Sequence, residues 1–232
     1  MPGFILHLTA GVMALNTLQA YDFHIDSKER NDFLIGCLLP DATKNKDASH
    51  FRNPKYHGNI VEYPDLELFD QKYHALKNDT SCQGYEFHLY IDRVFFKDYL
   101  PQIVEFQDTK GQKVEKWDEV TWAVLKKTGK RLAVRQFFSG DYYYGDYTKM
   151  NCYLIDKYHI SLNLNTKVEN PGIEEVDYRK AGDILEELKG YLNVSKEAVS
   201  DLKVFDVEEL QIFLKKRTQE WCEKKIGYTN HF

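Results

Sequence analysis

Apolar positions recur every three to four residues along most of the chain, the spacing of a helix that buries one face. The first such run predicts a helix from about Thr9 to Tyr21. A second covers "SKERNDFLIGCLLP", with Ser27 as its N-cap and Pro40 as its stop. The polar stretch "DATKNKDASHFRNPKYHGN" then predicts a long loop, a feature uncommon in compact domains unless it binds something or moves. Helix resumes in "PDLELFDQKYHALKN", where Pro64 suits a first-turn position. The most apolar run, "CQGYEFHLYIDRVFFKDYLPQIVEF", predicts a long buried helix kinked near Pro101. After a turn at Gly111, "WDEVTWAVLKKTGKRLAVRQFF" is expected to be helical, and a further helix follows Asp146. Two amphipathic helices, in "NPGIEEVDYRKAGDILEELKGYL" and "DVEELQIFLKKRTQEWCEKKIGY", complete the pattern. Strand signals are few, although "QDTKGQKVEKW" suits a small hairpin. With no repeat or linker in view, the expectation is one all-α, multi-helix domain over residues 1–232.

Composition narrows the function classes. A 232-residue chain that is 43% hydrophobic, with 16 Tyr and 14 Phe, has ample material for a core. A net charge of −5 with interspersed signs gives no general attraction to nucleic acid or to an anionic membrane. A phosphate-bearing ligand therefore needs a local site. The four cysteines, Cys37, Cys82, Cys152 and Cys222, form no Cys-x-x-Cys pair, which argues against a disulfide framework or a thiolate zinc site. Scattered thiols suit a reducing cytosol, and a cytoplasmic protein is expected. The opening "MPGFILHLTAGVMALNTLQA" lacks a basic leader and is broken by His7, Thr9 and Gly11, so it reads as a helix rather than an export signal. No apolar run is long enough to span a bilayer.

The chemistry begins with "GYEFHLYIDRVFFKDYL", where His88 and Asp92 stand four apart and so share one helix face. A carboxylate buried there costs several kcal/mol, by order of magnitude, unless it is paired or metal-bound. One reading is a satisfied pair, with Asp92 accepting from His88, Arg93 or Lys97. The other adds His7, Asp41 in "LLPD" and His50 in "SHFR". Three imidazoles and two carboxylates at helix faces or ends suit zinc, and also manganese or iron. Five donors exceed one catalytic ion's usual three and suit two ions with a bridging carboxylate. Taken singly, His7 also fits a core histidine and His50 a solvated loop residue.

The stretches "MPGFILH", "LLPDATKNKDASHFR", "YPDLELFDQKY" and "GYEFHLYIDRVFFKDYL" resemble the bacterial zinc-dependent phospholipase C family, whose fold and metal site are similar to those of the S1/P1 nucleases. The likeness is sharpest over the first hundred residues, and "GDYTKMNCYLIDKYHI" shares it. It implies a helical fold of that type, with Asp41, His50 and His88 on one zinc and Asp92 bridging to a second that His7 also binds. In secreted members the free amino terminus ligates the second ion; here the corresponding group is the Pro2 amine once Met1 is removed. A third zinc, held in those members by later His and Glu residues, has no matching His pair here, since His159 and His231 are isolated.

These readings together lead to the expectation of a phosphoester hydrolase that uses two zinc ions on a small phosphorylated substrate, with Asp41 and Asp92 as the catalytic carboxylates. Arg52, two residues after His50, is a candidate phosphate clamp, or simply a solvated charge. His57 and His74 are minor candidates for the metals. "YYYGDY" at 142–147 is a candidate pocket wall, with Asp141 or Asp146 either an acceptor behind a ligand histidine or an N-cap. The basic stretch "KKTGKRLAVR" is expected to be a solvated face. The alternative from another class is a metal-stabilised scaffold or small-molecule binder without turnover. An adjacent His-Asp pair and a His-Glu-x-x-His run are both missing, which disfavours HD-type phosphohydrolases and zincins.

Overall fold

The computed structural model of the chain describes residues 3–229. The expected Pro2 ligand and His231 lie outside the described residues. The helices are α1 (Phe4–Ala20), α2 (Ser27–Gly36), α3 (Lys46–Ser49), α4 (Leu66–Tyr73), α5 (Thr80–Val94), α6 (Leu100–Ile103), α7 (Val134–Phe137), α8 (Tyr143–Tyr158), α9 (Ala181–Lys189) and α10 (Val207–Thr229). The all-α expectation holds, with one departure. Strands β1 (Val104–Gln107), β2 (Trp122–Leu125) and β3 (Arg131–Ala133) form a small antiparallel sheet in that order. Its register pairs Val104 with Leu125 and Trp122 with Ala133. Among the described residues, no helix is long and apolar enough to cross a membrane.

The sheet corrects the helix expected over "WDEVTWAVLKKTGKRLAVRQFF". In "TWAVL", Ala123 and Leu125 are buried while Trp122 and Val124 are half-buried, a period of two that a short apolar run hides. Gly129, at φ +68°, turns the chain between β2 and β3, where a helix would need a right-handed residue. The expected hairpin survives as a tight turn, with Gly111 at φ +81° and a bridge between Gln107 and Lys113.

Helix ends moved for local reasons. The N-cap of α2 is Asp26 rather than Ser27: its carboxylate accepts from Glu29 N at 2.8 Å while Glu29 accepts from Asp26 N at 2.9 Å. That helix ends at Gly36, and Pro40 sits in a separate 3-10 turn, Leu39–Ala42. Pro64 lies just before the α4 cap, Asp65, rather than in the helix's first turn. α1 starts at Phe4, five residues before its expected start, which puts His7 on a helix. The long loop contains α3 and a 3-10 turn at Pro54–Tyr56. Pro101 lies within α6, and the irregularity precedes it as a wide π turn over Phe95–Tyr99. Pro101 lacks the N–H that would reach the Lys97 carbonyl and its ring crowds that oxygen, which the wider turn relieves.

One buried cluster runs from Ile5 on α1 through Phe87 on α5 to Trp221 on α10. A second joins α2, α4 and α5 to the segment around Ile173 and Tyr178. Between the two, α2 crosses α5 with their backbones touching. A Cβ added to Gly36 would collide with the Ser81 carbonyl oxygen, and one added to Gly84 with that of Phe33. No flexible side chain is available to yield on either side. We expect Gly84→Ala to lower the unfolding free energy by about 3 kcal/mol or more, read from urea denaturation midpoints. Wild-type stability in this variant would contradict the close crossing.

Candidate metal centre

The α2–α5 crossing sets the first donor. His88 lies in the middle of α5, and its Nδ1 stands 2.8 Å from the carbonyl oxygen of Cys37, just past the end of α2. A carbonyl only accepts, so Nδ1 carries the proton and Nε2 presents a lone pair to the interior. One turn further on, Asp92 brings its carboxylate to the same face. Asp41 arrives from the 3-10 turn after α2, His50 from the residue capping α3, and His7 from the second turn of α1. Tyr85 on α5 pins the backbone beside His50, donating to the Ser49 carbonyl at 2.6 Å, and Ser49 Oγ lies 3.0 Å from His50 Nδ1. The other ring nitrogen of His50 is thereby turned inward.

All five expected donors therefore meet. His50 Nε2 is 3.2 Å from His88 Nε2, 3.4 Å from Asp92 Oδ2 and 3.6 Å from Asp41 Oδ1. His88 Nε2 is 3.8 Å from Asp92 Oδ2, and His7 Nε2 is 3.2 Å from Asp92 Oδ1. The His7 and His88 rings stack with centroids 3.6 Å apart. Two overlapping triads result, Asp41–His50–His88 and His7–His88–Asp92, each with donor atoms within 4.8 Å of one another. Ligands at about 2.0–2.1 Å on one tetrahedral ion sit roughly 3.3 Å apart, close to the shortest of these spacings.

The satisfaction of the polar atoms gives a second test of fit. Both nitrogens of His7 and both carboxylate oxygens of Asp92 are buried and none makes a well-aligned hydrogen bond, the 3.2 Å approach of His7 Nε2 to Asp92 Oδ1 included. Such atoms cost free energy unless something else satisfies them. The Nε2 atoms of His50 and His88 face each other at 3.2 Å with Asp92 and Asp41 beside them, a grouping that a cation would satisfy together. The donor set fits a metal ion. It contains only nitrogen and oxygen, since the four cysteines are free and Cys37 enters solely through its backbone carbonyl.

Electrostatics favour the metal-ready protonation states. Burial pushes the His50 pKa down to about 4, with Asp92 and Asp41 opposing the shift. Burial, reinforced by neighbouring His7, pushes His88 down to about 3. Burial alone would raise the two carboxyls. At Asp41, His88, His50 and Lys46 outweigh it, and at Asp92 the close approach of His7, with His88 and His50, does the same; both end below the usual carboxylate range. Neutral imidazoles and ionised carboxylates are the forms that bind metals.

The other sequence candidates are placed elsewhere. Arg52 pairs with Asp47 at 2.9 Å and Glu62 at 3.5 Å, outside the donor cluster. His57 and His74 are exposed, beside Glu62 and Asp70. Asp146 neither caps α8 nor supports a histidine: it is buried within the first turn and accepts the backbone N–H groups of Lys203, Val204 and Phe205. Tyr144, Gly145 and Tyr147 do line a cavity, of about 810 Å³, which opens beside Asp41 and is also walled by Phe4, Leu188 and Tyr191. A residue beside the cluster that sequence reasoning passed over is Lys46. It lines that cavity and donates from Nζ to Asp41 Oδ1 at 2.6 Å and to Asp41 O at 2.9 Å. Its only sequence signal is its place between Asp41 and His50, in a loop with two other lysines, Lys44 and Lys55.

The histidine shifts set a pH dependence for the metal-stripped protein. The unfolded chain takes up protons near pH 6.5, whereas folded His50 and His88 do so only near 4 and 3. Unfolding thus gains protons across that window, and stability falls as pH drops from about 6.5 toward 4. Thermal melts of the stripped protein should show the midpoint falling over that range, and a flat profile would contradict neutral buried imidazoles. No protein-family model, curated protein or solved structure matches the chain, so its own residues carry the functional reading.

Proposed function

We propose that this chain is a phosphoester hydrolase that works with divalent cations, zinc or a metal of similar coordination such as manganese or iron. The carrying observation is the group of buried donor atoms on His7 and Asp92 that lack well-aligned hydrogen bonds, set among His50, His88 and Asp41 beside a cavity of ligand size. In this reading Asp41, His50 and His88 hold one ion, and Asp92 bridges toward His7 and a second. Metals bound there supply hydroxide near neutral pH and Lewis acidity toward a phosphoryl oxygen.

The protein's own contributions follow from the geometry. The Cys37 carbonyl fixes the His88 tautomer, and Ser49 orients His50. Asp41 borders both the cluster and the cavity, where its carboxylate can take a proton from attacking water when it is not tightly ligated. Phe4, Tyr144, Tyr147, Leu188 and Tyr191 give the cavity apolar walls that suit the carbon portion of an ester. The resemblance of "LLPDATKNKDASHFR" and "GYEFHLYIDRVFFKDYL" to the zinc-dependent phospholipase C family supports the same reading, as does the predominantly helical fold.

Elemental analysis of the purified protein and of its His88→Ala variant tests the metal assignment. The parent should carry about two zinc-type ions per chain, as two-metal sites do, and the variant should lose at least one. Equal content in both would count against the assignment. A panel of phosphomonoesters and phosphodiesters, run with added zinc or manganese, tests turnover. A fully loaded protein inactive across that panel would favour the metal-stabilised binding scaffold.

A further inference from the structure

The two lysines on the cavity wall differ in what they hold. Lys149 Nζ is engaged by Asp201, through its carbonyl oxygen at 2.6 Å and Oδ2 at 2.9 Å, with Asp146 Oδ1 at 3.8 Å. Lys46 Nζ is engaged by Asp41 alone, through Oδ1 and the carbonyl oxygen. An ammonium has three N–H donors, so one donor of Lys46 has no partner among the described residues. The Lys46 side chain is 28% exposed and that of Asp41 only 6%, and both line the same cavity. The cation thus stands at the boundary between the buried donor cluster and the space a ligand would fill.

A phosphate ester entering this cavity passes the Asp41 carboxylate, and a cation at that boundary offsets the repulsion and adds to the attraction of any bound metal. Arg52 is held away by Asp47 and Glu62, and Lys149 by Asp201. We propose that Lys46 is the phosphate-reading residue of this site: its free N–H donates to a non-bridging phosphoryl oxygen while its other two donors hold Asp41 in place. This rests on the phosphoester-hydrolase reading and deepens it by naming the residue that selects an oxyanion. Asp41 Oδ1 is both the atom that faces His50 and the one that accepts from Lys46, and a carboxylate oxygen has lone pairs enough to take an N–H and a metal together, so the two roles do not compete.

Calorimetric titration of inorganic phosphate into the zinc-saturated protein tests the assignment without relying on turnover. The Lys46→Gln variant keeps a polar side chain and removes the charge, and Lys46→Arg keeps the charge. Loss of one charge-assisted hydrogen bond should weaken phosphate binding by about 10- to 100-fold in Lys46→Gln. Lys46→Arg should restore most of it, and both variants should still saturate with zinc. Phosphate affinity unchanged in a zinc-saturated Lys46→Gln protein would overturn the inference while leaving the hydrolase reading intact. Failure of Lys46→Gln to take up zinc would overturn it too, because the ammonium would then serve only to hold Asp41. A parent protein that takes up no zinc would instead sink the underlying hydrolase reading.

Discussion

The backbone contact between α2 and α5 at Gly36 and Gly84 is the constraint on which the rest depends. Side chains at either position would push the helices apart, and the Cys37 carbonyl would leave the His88 imidazole. That single hydrogen bond decides which nitrogen of His88 faces inward. The turn carrying Asp41 follows directly from the end of α2, so the same crossing also sets where the first carboxylate arrives. α5 supplies His88, Asp92 and, through the Tyr85 hydroxyl, the anchor for the backbone next to His50. One helix and its closest neighbour thus organise four of the five donors. α1 adds the fifth by packing alongside and stacking His7 on His88.

A cluster of this kind is an expensive thing to bury. Its carboxylates and imidazoles lie at 1% exposure or less, apart from Asp41, and several atoms lack hydrogen bonds. Apolar residues of similar volume would make a more stable core. Local violations of the rules that stabilise the rest of a fold are where function is expected. The remainder of the interior obeys those rules, with aromatic rings such as Phe33, Phe87 and Trp221 packed edge to face or tilted around the crossing.

How much was legible in the sequence depended on how local the determining contact is. The pairing of His88 with Asp92 follows from helix geometry alone, and its placement in an apolar run already posed the question of a partner. His7, Asp41 and His50 are separated from that pair by 38 to 85 positions along the chain, and spacing alone could not gather them; the family resemblance suggested the grouping and the fold brings it about. Lys46 and Arg52 look alike in sequence, two cations flanking His50. Only the burial of Asp41 and the competing carboxylates Asp47 and Glu62 separate them. The β2–β3 hairpin was misread because "TWAVL" is too short and too apolar for its period to show. Asp146 was misread because its partners, the backbone N–H groups of residues 203–205, come from more than fifty positions away.

The central claim is that a metal sits among these imidazoles and carboxylates, and X-ray absorption at the zinc edge of the loaded protein reads that coordination directly. The account predicts a shell of nitrogen and oxygen only, at about 2.0–2.1 Å, with the outer-shell scattering of at least two histidines. A shell containing sulfur at about 2.3 Å, or one of oxygen alone without histidine scattering, would contradict it.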